Sequence, residues 1–275
     1  MRSPPKRSAR EFLDTPGQDP VALARLLNDI RRTNRWFGGY PLVLTYLRRV
    51  VRVLSHRPIT LLDVATAGAD VPRAIAAWAR RQQIPLRIVA LDLSEEILAQ
   101  ARRRTDAYPE ITLLHGNALA LPFPDRAVDV VICGLALHHF PYDEAVRVLR
   151  EIARVARHGF IVNDILRSWG AYLGAWLDTR LLSRNRLARH DGPLSVLRSF
   201  TVDEFRAMVT QAGLSGVEVR RHPMFRVALI RWPPTRDPPR RPRRLGAERG
   251  NAESPTPAPP ARGGARERET ISPRT

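Results

Sequence analysis

The chain has 275 residues but one cysteine, Cys133, and one lysine, Lys6. A single cysteine excludes an internal disulfide and a cysteine-based metal cluster, and no metal site is expected. Almost all the basic residues are arginine, a bias that fits GC-rich codon usage. The formal charge of +18 is therefore read mainly as a solvated arginine surface, and nucleic acid is not expected as a partner. No run reaches the roughly 20 apolar residues that a membrane span needs. The opening MRSPPKRSAREF lacks the apolar stretch of a signal peptide, so a cytoplasmic location is expected.

Apolar residues make up 44% of the chain, enough for a substantial core. Residues 1–20 are polar and proline-rich and read as a flexible leader. Residues 233–275 hold ten arginines against five acids and almost no large apolar side chains, so a disordered tail is expected there. Between them, residues 21–232 read as one domain. Asp19-Pro20 caps a helix carrying Leu23, Leu26, Leu27 and Ile30 on one face, and Gly38-Gly39 ends it. A second helix covers residues 42–54.

From there strands and helices alternate. Strands are predicted at 60–64, 86–91, 111–114, 128–133 and 160–162, with helices at 71–81, 94–105 and 143–156 between them. Alternation of this kind gives a parallel sheet covered on both faces. An insertion at 165–199 holds a helix over 169–182, an arginine-rich turn and a polar turn, His190-Asp191-Gly192-Pro193. A helix over 202–212 and strands at 216–220 and 225–231 close the domain.

Leu61-Leu62-Asp63-Val64-Ala65-Thr66-Ala67-Gly68-Ala69-Asp70 organises the rest. It reads as a buried strand, a turn of very small residues and the start of a helix. Small residues let backbone approach a bulky ligand, and the helix start points N–H groups at it. Asp92, at the end of the second strand, is placed to accept bonds from two ribose hydroxyls. Asn117, in the turn after the third strand, can reach an adenine edge. The loop lacks the G-x-G-x-x-G of a nicotinamide dehydrogenase.

LLDVATAGAD, LDLS, HGNALALPFPDRAVDVVICGLALHHF and VLREIARVARHGFIVND resemble the successive motifs of class I S-adenosylmethionine-dependent methyltransferases. The closest type is the small-molecule branch that includes the quinone-biosynthesis enzymes. The resemblance covers residues 60–165 and continues through FTVDEFRAMVTQAGL. It implies a Rossmann-like, doubly wound, seven-stranded, mostly parallel sheet, with N-terminal helices and a helical lid inserted after the fifth strand. It implies S-adenosylmethionine as cofactor, with the methionine part wrapped by the loop from Asp63 through Ala65, Thr66, Ala67 and Gly68. Asp92 and Leu93 would flank the ribose, Asn117 and Ala118 the adenine, and Gly134 the floor. Two positions depart from the family pattern. Its three loop glycines are Ala65, Ala67 and Ala69 here, and Asn117 replaces an aspartate. Base-amino methyltransferases carry Asn or Asp followed by Pro-Pro-aromatic after strand four, where this chain has Cys133-Gly134-Leu135-Ala136.

The implied reaction is methyl transfer to an oxygen or carbon of a small apolar or aromatic acceptor of phenolic, quinone or polyketide type. His138 and His139 follow the fourth strand, and Asn163 and Asp164 end the fifth at the same edge. His139 is the candidate acid/base residue, with His190 on the lid as second candidate. The stripe Trp169, Tyr172, Leu173, Trp176, Leu177 packs on the core, lines an apolar pocket or touches a membrane beside Arg180, Arg184 and Arg186. Two alternatives stay open: a cofactor-binding pseudo-enzyme, and an RNA-directed methyltransferase that uses the basic tail.

Overall fold

The computed structural model describes residues 3–54 and 58–232. The expected disordered tail lies outside them. Two helices come first, α1 (Pro20–Trp36) and α2 (Gly39–Leu54). The Asp19 carboxylate caps α1 by accepting from Ala22 N at 2.7 Å, and Gly38 turns the chain at φ 81°. Then follow β1 (Ile59–Val64), α3 (Asp70–Arg81), β2 (Leu86–Asp92), α4 (Glu95–Thr105), β3 (Ile111–His115), β4 (Val128–Gly134), α5 (Tyr142–Val155) and β5 (Ala156–Ile165). Two lid helices, α6 (Trp169–Leu182) and α7 (Arg186–Arg198), precede α8 (Val202–Gln211), β6 (Val217–His222) and β7 (Arg226–Arg231).

The seven strands lie in the order β3-β2-β1-β4-β5-β7-β6. The first five are parallel, and β7 runs antiparallel to both β5 and β6. Neighbouring residues on a strand point to opposite faces. Thus Leu61, Val130 and Ile161 pack under α2 and α3, while Leu62, Val131 and Phe160 pack under α5 and α8. Strand order reverses between β1 and β4, which opens a crevice at their C-terminal ends. The loops after β1 and β4 flank it.

Three expectations are corrected. The polar turn at 190–193 and the arginine-rich turn before it are instead mostly helix α7, capped by Asn185 and carrying Pro193 inside it. Proline there removes one ladder bond. Burial of Leu187, Ala188 and Val196 and two bonds accepted by Asp191 outweigh the loss. β5 is ten residues long rather than three, because β4 and β7 pair along its length. Lastly, residues 3–20 do not hang free. Arg7 N donates to Leu197 O at 3.0 Å, Arg167 holds Pro4 O at 2.7 Å, and Phe12 N and Leu13 N donate to the Asp191 carboxylate. This strap crosses the crevice, bound to the lid by contacts nearly 180 residues apart that no local pattern announces.

Candidate active site

The loop after β1 is strained in the way its composition implies. Ala65, Ala67 and Ala69 have φ of 56°, 48° and 52°, the left-handed region that glycine occupies freely. Thr66 N donates to Leu91 O at 2.9 Å and Ala67 N to Asp92 Oδ2 at 2.9 Å, which fixes the turn against β2. Each alanine in this region costs about 1–2 kcal/mol, less glycine's own entropic cost of about 0.5–1 kcal/mol. Ala67→Gly is therefore expected to raise stability by about 0.5–1 kcal/mol in urea unfolding. A loss of stability would show that the methyl group packs productively. Gly68, expected at the cofactor, instead faces α4: a Cβ there would stand 2.6 Å from the Arg104 guanidinium.

A cavity of about 780 Å³ opens over this loop, in the range of sites that hold a cofactor or ligand. Asp63, Ala65, Thr66, Ala67, Asp92, Leu93, Asn117, Ala118 and Gly134 all line it. Its floor is acidic. Asp63 is buried, and burial above all, then the like charges of Asp70 and Asp92, push its carboxyl up to about 7 against the Thr66 hydroxyl bond. Burial also raises Asp92, against bonds from the Ser94 and Ala67 amides. Asp70 accepts from Asn34 Nδ2 at 3.0 Å and from the Tyr40 hydroxyl at 2.8 Å. Buried carboxylates of this kind favour a cationic ligand.

The same cavity is lined by two carboxylate-backed imidazoles. His138 Nδ1 donates to Asp164 Oδ1 at 2.7 Å, and both side chains are buried. His139 Nδ1 donates to Asp14 Oδ1 at 2.6 Å. Arg198 fixes the turn that carries both, donating to His138 O at 3.2 Å and His139 O at 2.6 Å, and pairs with Asp14 at 2.6 Å. Burial alone would lower the His139 pKa. The carboxylates of Glu11 and Asp14 overcome it and hold the imidazole up at about 9. The protonated form of His139 is therefore favoured near neutral pH, which weighs against its acting as the base. His138 also lines the cavity: its Nδ1 is held by Asp164, and its Nε2 stands 3.9 Å from Glu11 Oε1.

His190 is corrected as well. It does not line this cavity; its ring stacks on Phe12 at 4.5 Å and its Nδ1 bonds Asp191 at 2.8 Å. Glu11, Asp14 and Arg198 were missed. Two lie in a polar leader with no periodicity, and the third in an arginine-rich stretch, so nothing local marked them. The pairing of His138 with Asp164 had a signal, since both end parallel strands at one edge.

A family model for a methyltransferase domain matches residues 62–162. A demethylmenaquinone methyltransferase of Bacillus licheniformis is 39% identical over 100 residues, 36% of this chain and 41% of that protein. One of Lysinibacillus sphaericus is 36% identical over 101 residues, 37% of this chain and 41% of the other. The chain thus spans less than half the length of the curated relatives it matches. Among solved structures, a plantazolicin methyltransferase in complex with SAH is similar at TM-score 0.57 and 11% identity, covering 78% of this chain and 96% of that one. A SAM-dependent methyltransferase of Aquifex aeolicus is similar at TM-score 0.51 and 16% identity, covering 78% and 98%. Such identities establish the fold. Residues 62–162 thus match a methyltransferase-domain model, and the chain shares the fold of solved S-adenosylmethionine-dependent methyltransferases.

Proposed function

We propose that the protein moves the methyl group of S-adenosylmethionine to an oxygen or carbon of a small apolar or aromatic acceptor, of phenolic, quinone or polyketide type. The observation that carries this reading is one cavity lined both by an acidic floor suited to a cation and by a carboxylate-backed histidine. When bound, the cofactor supplies an already activated methyl group on a sulfonium. Asp63 and Asp70 oppose its positive charge, and Asp92 accepts from the ribose. The small inner face of α6, with Ala171, Gly174 and Ala175, roofs the acceptor end together with Val196 and Phe225 and keeps water out. His138 would take the proton that the acceptor loses on methylation. Asp164 steadies the imidazolium. Positioning supplies most of the rate, on the order of 7–11 kcal/mol when reactants are held at near-attack distance.

Calorimetry with S-adenosylmethionine tests the reading, and its pH dependence tests the floor. Only the ionised Asp63 attracts the cation, so affinity is expected to rise about tenfold from pH 5.5 to 7.0. Asp63→Asn should bind more weakly and without that rise. The sign for stability is opposite. A carboxyl whose pKa is raised on folding costs stability as pH rises from the usual carboxylate range through about 7. Asp63→Asn should therefore stabilise the cofactor-free protein at pH 8. A folded wild-type protein that fails to bind S-adenosylmethionine would overturn the proposal. Binding with no methylation across a panel of phenols and quinols would leave the pseudo-enzyme.

The outer face of α6 extends the proposal to a membrane surface. Trp169, Leu173, Trp176, Leu177 and Leu181 are exposed there, Leu181 at 75%, with Arg180 on the same helix. No helix among the described residues is long and apolar enough to cross a membrane. We read this face as an interfacial contact through which an apolar acceptor enters. The protein should co-sediment with anionic vesicles, and Leu173→Asp with Leu181→Asp should weaken that several-fold. Equal binding by the double variant would exclude this face.

A further inference from the structure

Glu11 is 2% exposed, and its Oε1 is one of four buried side-chain atoms left without a hydrogen-bond partner among the described residues. Its nearest cation, Arg198 Nε, stands 3.8 Å away, beyond hydrogen-bond reach. What surrounds it explains why it is there. His138 Nε2 lies 3.9 Å from Glu11 Oε1, and His139 Nε2 lies 4.0 Å from Glu11 Oε2. One ligand atom from each of the three residues falls within 4.8 Å of the others. The Nδ1 atom of each histidine is committed elsewhere, to Asp164 and Asp14. Both Nε2 atoms are therefore turned inward, toward the same carboxylate and the cavity.

We propose that Glu11, His138 and His139 hold a divalent first-row transition-metal cation. Two imidazoles and one carboxylate, with the remaining positions open, form a donor set that suits Zn²⁺, Mn²⁺ or Fe²⁺ rather than Mg²⁺ or Ca²⁺, which demand oxygen ligands. Carboxylates on the far ring nitrogens are the usual outer support of metal-bound histidines, fixing tautomer and orientation. Charge agrees as well. Once the metal has displaced the His139 proton and both imidazoles are neutral, Glu11, Asp14 and Asp164 against Arg198 leave two negative charges for a dication. Bonds of ~2.1 Å set ligand atoms ~3.4 Å apart in a tetrahedron, so the three atoms, within 4.8 Å of one another here, would draw in by up to about 1.4 Å. Glu11 sits on the strap, which Asp191 and Arg198 hold down, and a shift of that size falls on the least embedded of the three elements.

The cation would lie at the acceptor end of the cavity. If the methyl-transfer reading is right, the site also specifies the acceptor: a molecule with a hydroxyl, or a hydroxyl beside a carbonyl, whose oxygens fill the open positions. With Nε2 on the metal His138 would no longer take the acceptor's proton; a metal-bound hydroxyl ionises at lower pH, so that proton would pass to solvent instead.

The test uses the full chain, stripped with chelator and titrated with Zn²⁺, with Co²⁺ as a visible-absorption probe and with Mg²⁺ as control. One equivalent of Zn²⁺ or Co²⁺ is expected to bind with micromolar affinity or better and to raise the melting temperature, while Mg²⁺ does neither. Glu11→Gln and His139→Gln should each weaken binding at least tenfold. His139 is the less buried of the two, so its variant serves if Glu11→Gln does not fold. No stoichiometric binding by the folded wild type, or unchanged affinity in a folded variant, overturns the proposal. Methyl transfer is assayed separately: metal binding without transfer removes the function proposed above and leaves the site, whereas transfer without metal binding does the reverse.

Discussion

Arg226→Ala should destabilise the protein by about 3–5 kcal/mol in urea unfolding, the scale for breaking a buried charged network. Arg226 begins β7 and is 1% exposed. Its guanidinium donates to Phe37 O at 2.8 Å, Asn34 Oδ1 at 3.2 Å and Asn163 Oδ1 at 3.4 Å, joining the α1–α2 turn to the centre of the sheet. Burial pulls its pKa down to about 10, against the attraction of Asp164 and Asp70. Alanine would leave three acceptors without a donor and a large void. Arg226→Lys keeps the charge but loses the planar fork, so an intermediate loss is expected. A loss below about 1 kcal/mol for the alanine variant would mean that water or a rearranged turn replaces the network.

Asp164→Asn is expected to lower kcat by about 100-fold or more while cofactor affinity stays nearly unchanged. Asp164 touches neither cofactor nor acceptor in this reading. It positions His138 and balances the imidazolium that forms. Burial works to raise the Asp164 pKa, but the His138 imidazole and its bond outweigh this and hold the carboxyl below its usual value. Asparagine removes that charge and can present the wrong polar atom to Nδ1. A merely structural role would lower the melting temperature with activity per folded molecule preserved. Asp164→Glu, which keeps the charge, should restore part of the rate if orientation is the cause. His139→Gln should cost less in kcat, since His139 already carries its proton at neutral pH.

Much of the sheet could be read from the chain because its signals are local. Short apolar runs such as Thr60 to Val64, small-residue turns and the Ser94 cap each act within a few residues, and each lies within a residue or two of its expected place. The alanine loop was legible too, since its φ values are those that glycines would have taken. The floor acids Asp63 and Asp92 followed from their places at strand ends. What escaped depends on distant contacts. His190-Asp191-Gly192-Pro193 carries the residues of a turn, yet Asp191 anchors the strap and the segment stays helical. Glu11 and Asp14 have no meaning until Arg198 and the histidine pair meet them across more than 120 residues. The surroundings that separate His139 from His138 have the same origin. The proton on His139 is held by Glu11 and Asp14 of the strap, not by the turn that carries both histidines.

The strap also fixes when the site can come into being during synthesis. β1, β2 and β4 can pair, and the alanine loop can form, from the first half of the chain. The roof cannot. Leu13 bonds Asp191, and Asn34 bonds Arg226, across 178 and 192 residues. Until β7 has left the ribosome, the buried arginine and its three acceptors are apart, and the strap has no lid to lie on. Closing loops of this length is slow, and apolar surface stays open to solvent meanwhile. Nascent chains halted before residue 226 should therefore expose the crevice and capture apolar dyes, and chains released beyond it should lose that property as the strap docks.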